Sequence, residues 1–142
     1  MREKSVKFYL YFNTLRKRKK IFLLNMNGDV KGKLYFSSYN WKEDILVYLN
    51  KILNKERVDI FNICGIIVNK GPGSFTSIRK ILTIVNILSW ILKIPAIGFS
   101  LKQGDSEKKA IDKALEKIKK TKPQTPVSPF YGKGLGVRPL PA

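Results

Sequence analysis

The centre of the chain alternates between apolar runs and short polar breaks. Residues Ile60 to Val68 form a continuous, largely β-branched run, which is typical of a strand covered on both faces in a parallel sheet. A glycine-proline turn follows at residues 69–73, and Ser77 to Leu92 has the apolar spacing of a helix. Pro95 ends that helix and precedes another apolar run. The pattern predicts a strand, a tight loop, a helix and a strand, which is a βαβ unit.

Shorter apolar segments precede this unit. Val6 to Asn13, Ile21 to Asn25 and Val30 to Phe36 are predicted strands, and the last two are joined by an Asn27-Gly28 turn that favours a hairpin. Trp41 to Asn54 has one apolar face and is a predicted helix. Together the elements predict an α/β fold with a mixed five-stranded sheet.

The chain changes character after residue 101. A charged helix with a narrow apolar stripe is predicted within residues 102–122, and residues 123–142 are rich in proline and glycine. We therefore divide the chain into a folded lobe at 1–101, a charged helix at 102–122 and an extended tail at 123–142.

The rare residue types exclude several kinds of site. The 142 residues, of which 44% are hydrophobic, are enough for one domain with a core. There is one cysteine, Cys64 within the predicted central strand, and there is no histidine. This composition argues against a disulfide framework, a zinc site and the hydrolase triads that use histidine as a base. We predict neither a metal nor a cofactor.

The net charge of +18 favours a polyanionic partner such as RNA. A lysine-rich genome composition would give the same excess, and both explanations stay open. The candidate RNA contact is a run of five cations, expected in a solvated hairpin connection. These residues are Arg16, Lys17, Arg18, Lys19 and Lys20.

Neither a secretory signal nor a membrane span is expected. The apolar stretch from Ile81 to Phe99 contains Asn86, Lys93 and Pro95, so a buried helix followed by a strand fits better than a span of about 20 apolar residues. We expect a cytoplasmic protein without a membrane partner.

The glycine-proline turn contains the most specific motif of the chain. Its residues are Gly71, Pro72, Gly73, Ser74, Phe75 and Thr76, with Arg79 one turn later. Free amides at a helix N-terminus can bind an anion, and a capped turn without a ligand is the alternative. The motif resembles the signature loop of the TsaB (YeaZ) family, and Ile94 to Leu101 is similar to that family's next segment. The resemblance spans roughly Val6 to Leu101.

The resemblance implies a fold and a function. It implies a single ribonuclease-H-like lobe of the actin, sugar kinase and Hsp70 superfamily, with the family's second lobe missing. It also implies a non-catalytic dimerisation subunit for the synthesis of threonylcarbamoyladenosine in tRNA. The implied partners are a TsaD-like catalytic subunit, a TsaE-like ATPase and, through the complex, tRNA. Whether the isolated chain forms a homodimer stays open. Superfamily members have an acidic residue at the end of the first strand where this chain has Asn13, which argues against metal-assisted phosphoryl chemistry.

The two helices of the lobe are the expected partner interface. The helix at Ser77 to Leu92 is apolar around most of its circumference, and such a helix is buried on more than one side. In the TsaB family the equivalent helices pack against TsaD. The candidate interface residues are Ile45, Leu49, Ile52, Ile81, Val85 and Leu88.

Two other classes of function stay open. One is a small basic RNA-binding protein that uses the cation run and the lysine-rich helix. The other is an enzyme, either a nucleotide hydrolase that uses the Gly71 to Gly73 loop or an M22-type glycoprotease-like protein. The absence of histidine counts against a zinc peptidase.

Overall fold

The computed structural model describes residues 6–37 and 44–129. The predicted helix start from Trp41 to Glu43 and the tail from Phe130 onward lie outside these ranges. The strands are β1 Phe8–Asn13, β2 Arg18–Leu24, β3 Val30–Ser37, β4 Ile63–Asn69 and β5 Ala96–Phe99. The α-helices are α1 Ile45–Glu56, α2 Phe75–Leu92 and α3 Glu107–Ile118, and a 3-10 turn occupies Ile60–Asn62.

The strands form one mixed sheet in the order β3-β2-β1-β4-β5. β2 is antiparallel to both of its neighbours, β1 and β3, while β4 is parallel to β1 and β5 is parallel to β4. α2 connects the neighbouring parallel strands β4 and β5, so it is the crossover helix of the predicted βαβ unit. The predicted α/β fold with a mixed five-stranded sheet is confirmed.

Side chains of β1 alternate between two separate cores, because successive residues of a strand face opposite sides of the sheet. Leu10 and Phe12 pack with residues of α1 and α2. Tyr9 and Tyr11 pack on the other face with residues of α3. The sheet therefore lies between α1 and α2 on one side and α3 on the other.

α3 is an integral cover of the sheet rather than a solvated appendage. Its apolar stripe is buried against the face that carries Tyr9 and Tyr11. A Cβ atom at Gly65 in β4 would lie 2.8 Å from Cδ1 of Ile118 and 2.8 Å from the Tyr9 ring, so glycine lets the helix approach the strand. The buried residues of α3 are Ile111, Ala114, Leu115 and Ile118.

β2 begins earlier than the apolar pattern predicts. Arg18, Lys19 and Lys20 pair with Ser37, Phe36 and Tyr35 of β3. Three of the five cations are therefore in a strand rather than in the hairpin connection. The prediction was wrong at this boundary because β3 extends far enough to pair with the basic residues.

The segment after α3 packs across α2. Residues 121–129 contain no helix or strand, as predicted, but they are not free of the lobe. The Val127 amide donates to Asn86 Oδ1 at 2.9 Å, and Asn86 Nδ2 donates to the Val127 carbonyl at 3.2 Å. Gln124 Nε2 donates to the Trp90 carbonyl at 3.0 Å. Asn86 therefore fixes this segment on one flank of α2.

α2 is long and apolar enough, by length and composition, to cross a membrane. Its inner side packs on the sheet, with Ile78, Ile81 and Val85 fully buried. The two strands that it connects are paired side by side, which holds both ends of the helix against the same sheet. This packing identifies α2 as a crossover helix with one exposed side.

The role of α3 as a cover predicts a large effect of one truncation. We expect Ile118→Ala to lower the free energy of unfolding by about 2–4 kcal/mol, because a buried side chain leaves a cavity. Ile91→Ala is the matched control, since Ile91 is 65% exposed on α2, and it should change stability by less than about 0.5 kcal/mol. Urea denaturation measures both. If both substitutions changed the free energy of unfolding by the same small amount, α3 would be only loosely attached to the sheet.

Candidate functional site

The carboxyl ends of the parallel strands β1 and β4 form a candidate site, because α/β sheets bind ligands at the carboxyl ends of their strands. Asn13 ends β1 and Asn69 ends β4. Both side chains are buried, with 2% and 0% exposure. Buried amides need hydrogen-bond partners, so their contacts show what this end of the sheet does.

A chain of hydrogen bonds connects the signature loop to α3. The Gly71 amide donates to Asn69 Oδ1 at 3.3 Å, and Asn69 Nδ2 donates to Asn13 Oδ1 at 3.1 Å. Asn13 Nδ2 then donates to Glu107 Oε2 at 2.7 Å. The first residue of α3 is thereby linked to the loop through the two strand ends.

Glu107 is the centre of this network. Its carboxylate also accepts a hydrogen bond from the Tyr11 hydroxyl at 2.6 Å and forms an ion pair with Lys20. Burial alone raises the pKa of Glu107, but the hydrogen bonds from Lys20, Tyr11 and Asn13 outweigh burial and the net pKa is below its ordinary value of 4.5. The carboxylate is therefore ionised and fully occupied by donors from the chain itself.

Tyr11 stays protonated in this arrangement. Its burial and then its hydrogen bond to Glu107 raise the pKa of the phenol well above its ordinary range. The neutral hydroxyl acts as a donor, and the Tyr11 ring stacks on Phe99 of β5 with centroids 5.7 Å apart. The hydroxyl of Tyr11 is thus part of the Glu107 network, and its ring packs in the core between the sheet and α3.

The role of Glu107 could not be predicted from the sequence. The structure shows that Asn13, the last residue of β1, donates to a carboxylate from α3. The only local signal was the Ser106-Glu107 pair at the start of a helix, which is a common start for any surface helix. The partner residues lie 94 and 96 positions away in the chain, so no local pattern contains them.

The signature loop is tightly held on its strand side and open on its helix side. Gly71 is buried with a φ of 148°, which favours glycine, and its carbonyl accepts from the Leu101 amide at 2.9 Å. Ser74 caps α2 by accepting from the Ser77 amide at 3.2 Å. Ser74, Phe75 and Thr76 are exposed. Pro72 and Gly73, which lie between the buried Gly71 and the exposed Ser74, are partly exposed.

The loop ends in an exposed aromatic and cationic pair. The Arg79 guanidinium lies 5.3 Å from the centre of the Phe75 ring, within the range of a cation–π contact. The predicted anion contact at this loop stays a prediction, and the Ser74 cap also fits the alternative of a capped turn.

Most of the cation run is used inside the chain. An Arg16 nitrogen donates to the Leu101 carbonyl at 2.8 Å, Lys19 donates to the Thr14 carbonyl, and Lys20 pairs with Glu107. The Arg18 guanidinium lies 4.1 Å from the centre of the Tyr35 ring. Lys17 alone has no such partner within residues 6–37 and 44–129. RNA contact through this run stays a prediction, on a segment whose cations also hold the fold.

Burial and then repulsion from Lys80 lower the pKa of Lys19. Its ammonium group is therefore in a less favourable environment than a solvated lysine. This environment makes Lys19 a weaker phosphate contact than its place in the sequence indicates.

The residues predicted to bind a partner are mostly core residues, and that prediction was wrong. Five of the six have exposures of 6% or less, and Leu88 is partly buried against the same cluster. They face the sheet because α1 and α2 each turn their most apolar side towards it. The five are Ile45, Leu49, Ile52, Ile81 and Val85.

The opposite side of α2 is the exposed apolar surface. Ile87, Trp90 and Ile91 are 51%, 66% and 65% exposed. Ile84 and Leu88 form its inner margin and are partly buried. No charged residue occurs in α2 between Lys80 and its end at Leu92. We call Ile87, Trp90 and Ile91 the outer face of α2.

The other side chains that could take part in chemistry are isolated from one another. The Cys64 thiol is partly buried beside Met26, with its sulfur 3.5 Å from the Met26 sulfur, and burial raises the pKa of the thiol. The Thr14 hydroxyl is buried without a hydrogen-bond partner in the described part of the chain. The same part contains no group of three or more His, Cys, Asp or Glu side chains placed to hold a metal.

The Glu107 network makes stability depend on pH. We expect Glu107→Gln to lower the free energy of unfolding by about 1 kcal/mol at pH 7, because the partly exposed ion pair and its hydrogen bonds are weakened. Since the folded-state pKa is below 4.5, the contribution is complete above that pH and disappears as pH falls through the folded-state pKa.

The measurement is urea denaturation of both proteins between pH 7 and pH 3. The gap between wild type and Glu107→Gln should close towards pH 3. Glu116→Gln, on the exposed side of the same helix, should change stability by less than about 0.5 kcal/mol. A gap that is constant with pH would contradict the assignment of an ionised, paired Glu107.

Comparison with known proteins identifies the family of the chain. Residues 36–126 match a family model described as TsaD: tRNA N6-adenosine threonylcarbamoyltransferase. Over 74 residues the chain is 35% identical to the tRNA threonylcarbamoyladenosine biosynthesis protein TsaB of Buchnera aphidicola subsp. Schizaphis graminum, and this match covers 49% of the chain and 35% of the relative.

Solved structures show the same fold. YeaZ from Pseudomonas aeruginosa has a TM-score of 0.58 at 22% identity, over 66% of this chain and 43% of that one. A second structure, of an uncharacterized protein with similarity to peptidase YEAZ from Pseudomonas aeruginosa, has a TM-score of 0.57 with the same identity and coverage. The chain thus spans less than half the length of these relatives. It belongs to the TsaD family and, within that family, to the TsaB (YeaZ) group.

Proposed function

We propose that this chain is a non-catalytic subunit in the biosynthesis of threonylcarbamoyladenosine in tRNA. In this proposal it binds a TsaD-like catalytic subunit in the cytoplasm, and tRNA is engaged through the complex. A TsaE-like ATPase is a further candidate partner of the assembly. The names of the family model and of the TsaB relative support the pathway.

The outer face of α2 is the observation that carries the proposal. Contiguous exposed apolar patches on soluble proteins mark interaction sites, and tryptophan is enriched among the residues that dominate binding energy. Trp90 and two isoleucines lie within about one and a half turns of one helix and are each more than half exposed. A specific complex would bury about 800 Å² on each partner, and this face would be its centre.

The network at the strand ends supports a subunit without chemistry of its own. A catalytic carboxylate must be free to meet substrate or metal, whereas Glu107 is occupied by Lys20, Tyr11 and Asn13. The chain also lacks histidine, the commonest general base. The catalytic groups would then come from the partner.

We further propose that the lobe and α3 act as one unit. α3 covers the sheet face that is not covered by α1 and α2, so the described residues form a core on each face of the sheet. This proposal takes residues 1–101 and the helix at 102–122 as one folded unit, followed by the tail at 123–142.

The outer face of α2 predicts the effect of Ile87→Asp. We expect the wild type and the TsaD-like protein from the same genome to form a stable heterodimer in light scattering after size exclusion. Ile87→Asp should weaken that complex at least thirtyfold, about 2 kcal/mol, because the carboxylate would be buried at the interface. The side chain is exposed in the isolated chain, so unfolding stability should change by less than about 0.5 kcal/mol.

Val30→Asp is the matched control, since Val30 is an exposed apolar residue of β3 at the other edge of the sheet. It should leave the heterodimer intact. A homodimer that is indifferent to the TsaD-like protein would contradict the proposal, because the outer face would then be satisfied by self-association. Equal weakening by both substitutions would also count against it.

A further inference from the structure

α3 lies between two grooves of similar size. The first groove separates α3 from the edge strand β5 and has a volume of about 340 Å³. The second separates α3 from β2 and the β2–β3 turn and has a volume of about 360 Å³. Both are large enough to hold part of a small ligand. We call them the β5 groove and the β2 groove.

The two grooves differ in the charges of the side chains that line them. The β5 groove is lined by Lys109, Lys113 and Lys117, with Asp105 as its one acidic residue. The β2 groove is lined by three acidic residues and one lysine. These four are Asp29, Glu107, Asp112 and Lys108. Both grooves contain lysine, but cations predominate in the β5 groove and acidic residues in the β2 groove, and a general excess of lysine in the genome does not by itself predict this difference.

The lysine row is also unfavourable for the helix by itself. Lys109, Lys113 and Lys117 follow one another at four-residue spacing, where like charges destabilise a helix by about 0.2–0.5 kcal/mol per pair. None of the three forms an ion pair with another residue of the described ranges. An anionic ligand in the groove would offset this repulsion.

We propose that the β5 groove binds the phosphate backbone of a single-stranded segment of RNA. The row from Lys109 to Lys117 is about 12 Å long at 1.5 Å per residue, which allows contacts to two or three successive phosphates. Single-stranded sites combine cations with an aromatic ring on which a base stacks. Phe99 lines the groove and already stacks on Tyr11, so a base would stack on the ring face opposite Tyr11. The groove thus offers both elements of such a site.

The sequence of residues 130–142 offers no acidic side chain that would complement the lysines of the groove. The cation run is a separate feature, because most of its cations have partners inside the lobe. The β5 groove is therefore a distinct site for a polyanion.

The test is RNA binding by the isolated, full-length chain. The probe is a fluorescein-labelled 12-nucleotide oligouridylate, measured by anisotropy from about 0.05 to 0.3 M salt. The variant replaces Lys109, Lys113 and Lys117 by Gln, which has a similar helix propensity. The control variant replaces Lys31, Lys108 and Lys119 by Gln as well. These three lysines are exposed and do not line the β5 groove.

Counterion release sets the expected size of the effect. The slope of log Kobs against log salt is negative, and each lost phosphate contact reduces its magnitude by about 0.7 for a single strand. The groove variant should therefore reduce the magnitude of the slope by about 2 and weaken binding about 100-fold at 0.1 M salt. The control should weaken binding by less than about fivefold, and replacement of the same three groove lysines by Arg should retain binding.

Two outcomes would overturn the proposal. Equal losses in the groove and control variants would mean that only the overall charge attracts RNA. Displacement of the RNA by polyglutamate at equal charge concentration would assign the groove to an acidic polypeptide. Because the measurement uses the chain without its partner, neither outcome bears on the heterodimer with a TsaD-like protein.

Discussion

The sheet is apolar on both faces, and this constraint determines where every helix lies. In β1, Leu10 and Phe12 face one side and Tyr9 and Tyr11 the other, and all are nearly inaccessible to solvent. A strand of this kind is stable only if both faces are covered. α1 and α2 cover one face and α3 covers the other. Among residues 6–37 and 44–129, the same placement leaves the outer face of α2 exposed and creates the grooves beside α3.

α3 combines this packing role with closure of the strand ends. Its apolar stripe is buried on the sheet while Glu107, its first residue, reaches Asn13, Tyr11 and Lys20. The groups at the carboxyl ends of β1 and β4 are therefore engaged with each other. Two other surfaces of the described residues, one apolar on α2 and one cationic along α3, are the ones that we propose for binding. This division fits a subunit whose contribution to catalysis is through its partners.

The order of strands and helices could be predicted from the sequence, because continuous and helical apolar spacing differ clearly along the chain. The side of each helix that faces the sheet could not be predicted in this way. α2 has apolar residues nearly all round, so periodicity placed Val85 and Ile87 on the helix but did not show which one faces the sheet. The Asn86 contact to Val127 spans 41 residues, and the contacts of Glu107 span still more. Such pairings depend on the folded arrangement of distant elements, which no local pattern contains.

The account depends on α3 being part of the cooperative fold, and native-state hydrogen exchange tests this most directly. The amides of Ile111 to Ile118 in α3 and of Leu10 to Phe12 in β1 should exchange with opening free energies within about 1 kcal/mol of each other, both close to the global value. Amides of α3 that open with free energies lower by more than about 2 kcal/mol would contradict the account. In that case the sheet would be stable with one face uncovered, and α3 would be an appendage of the lobe.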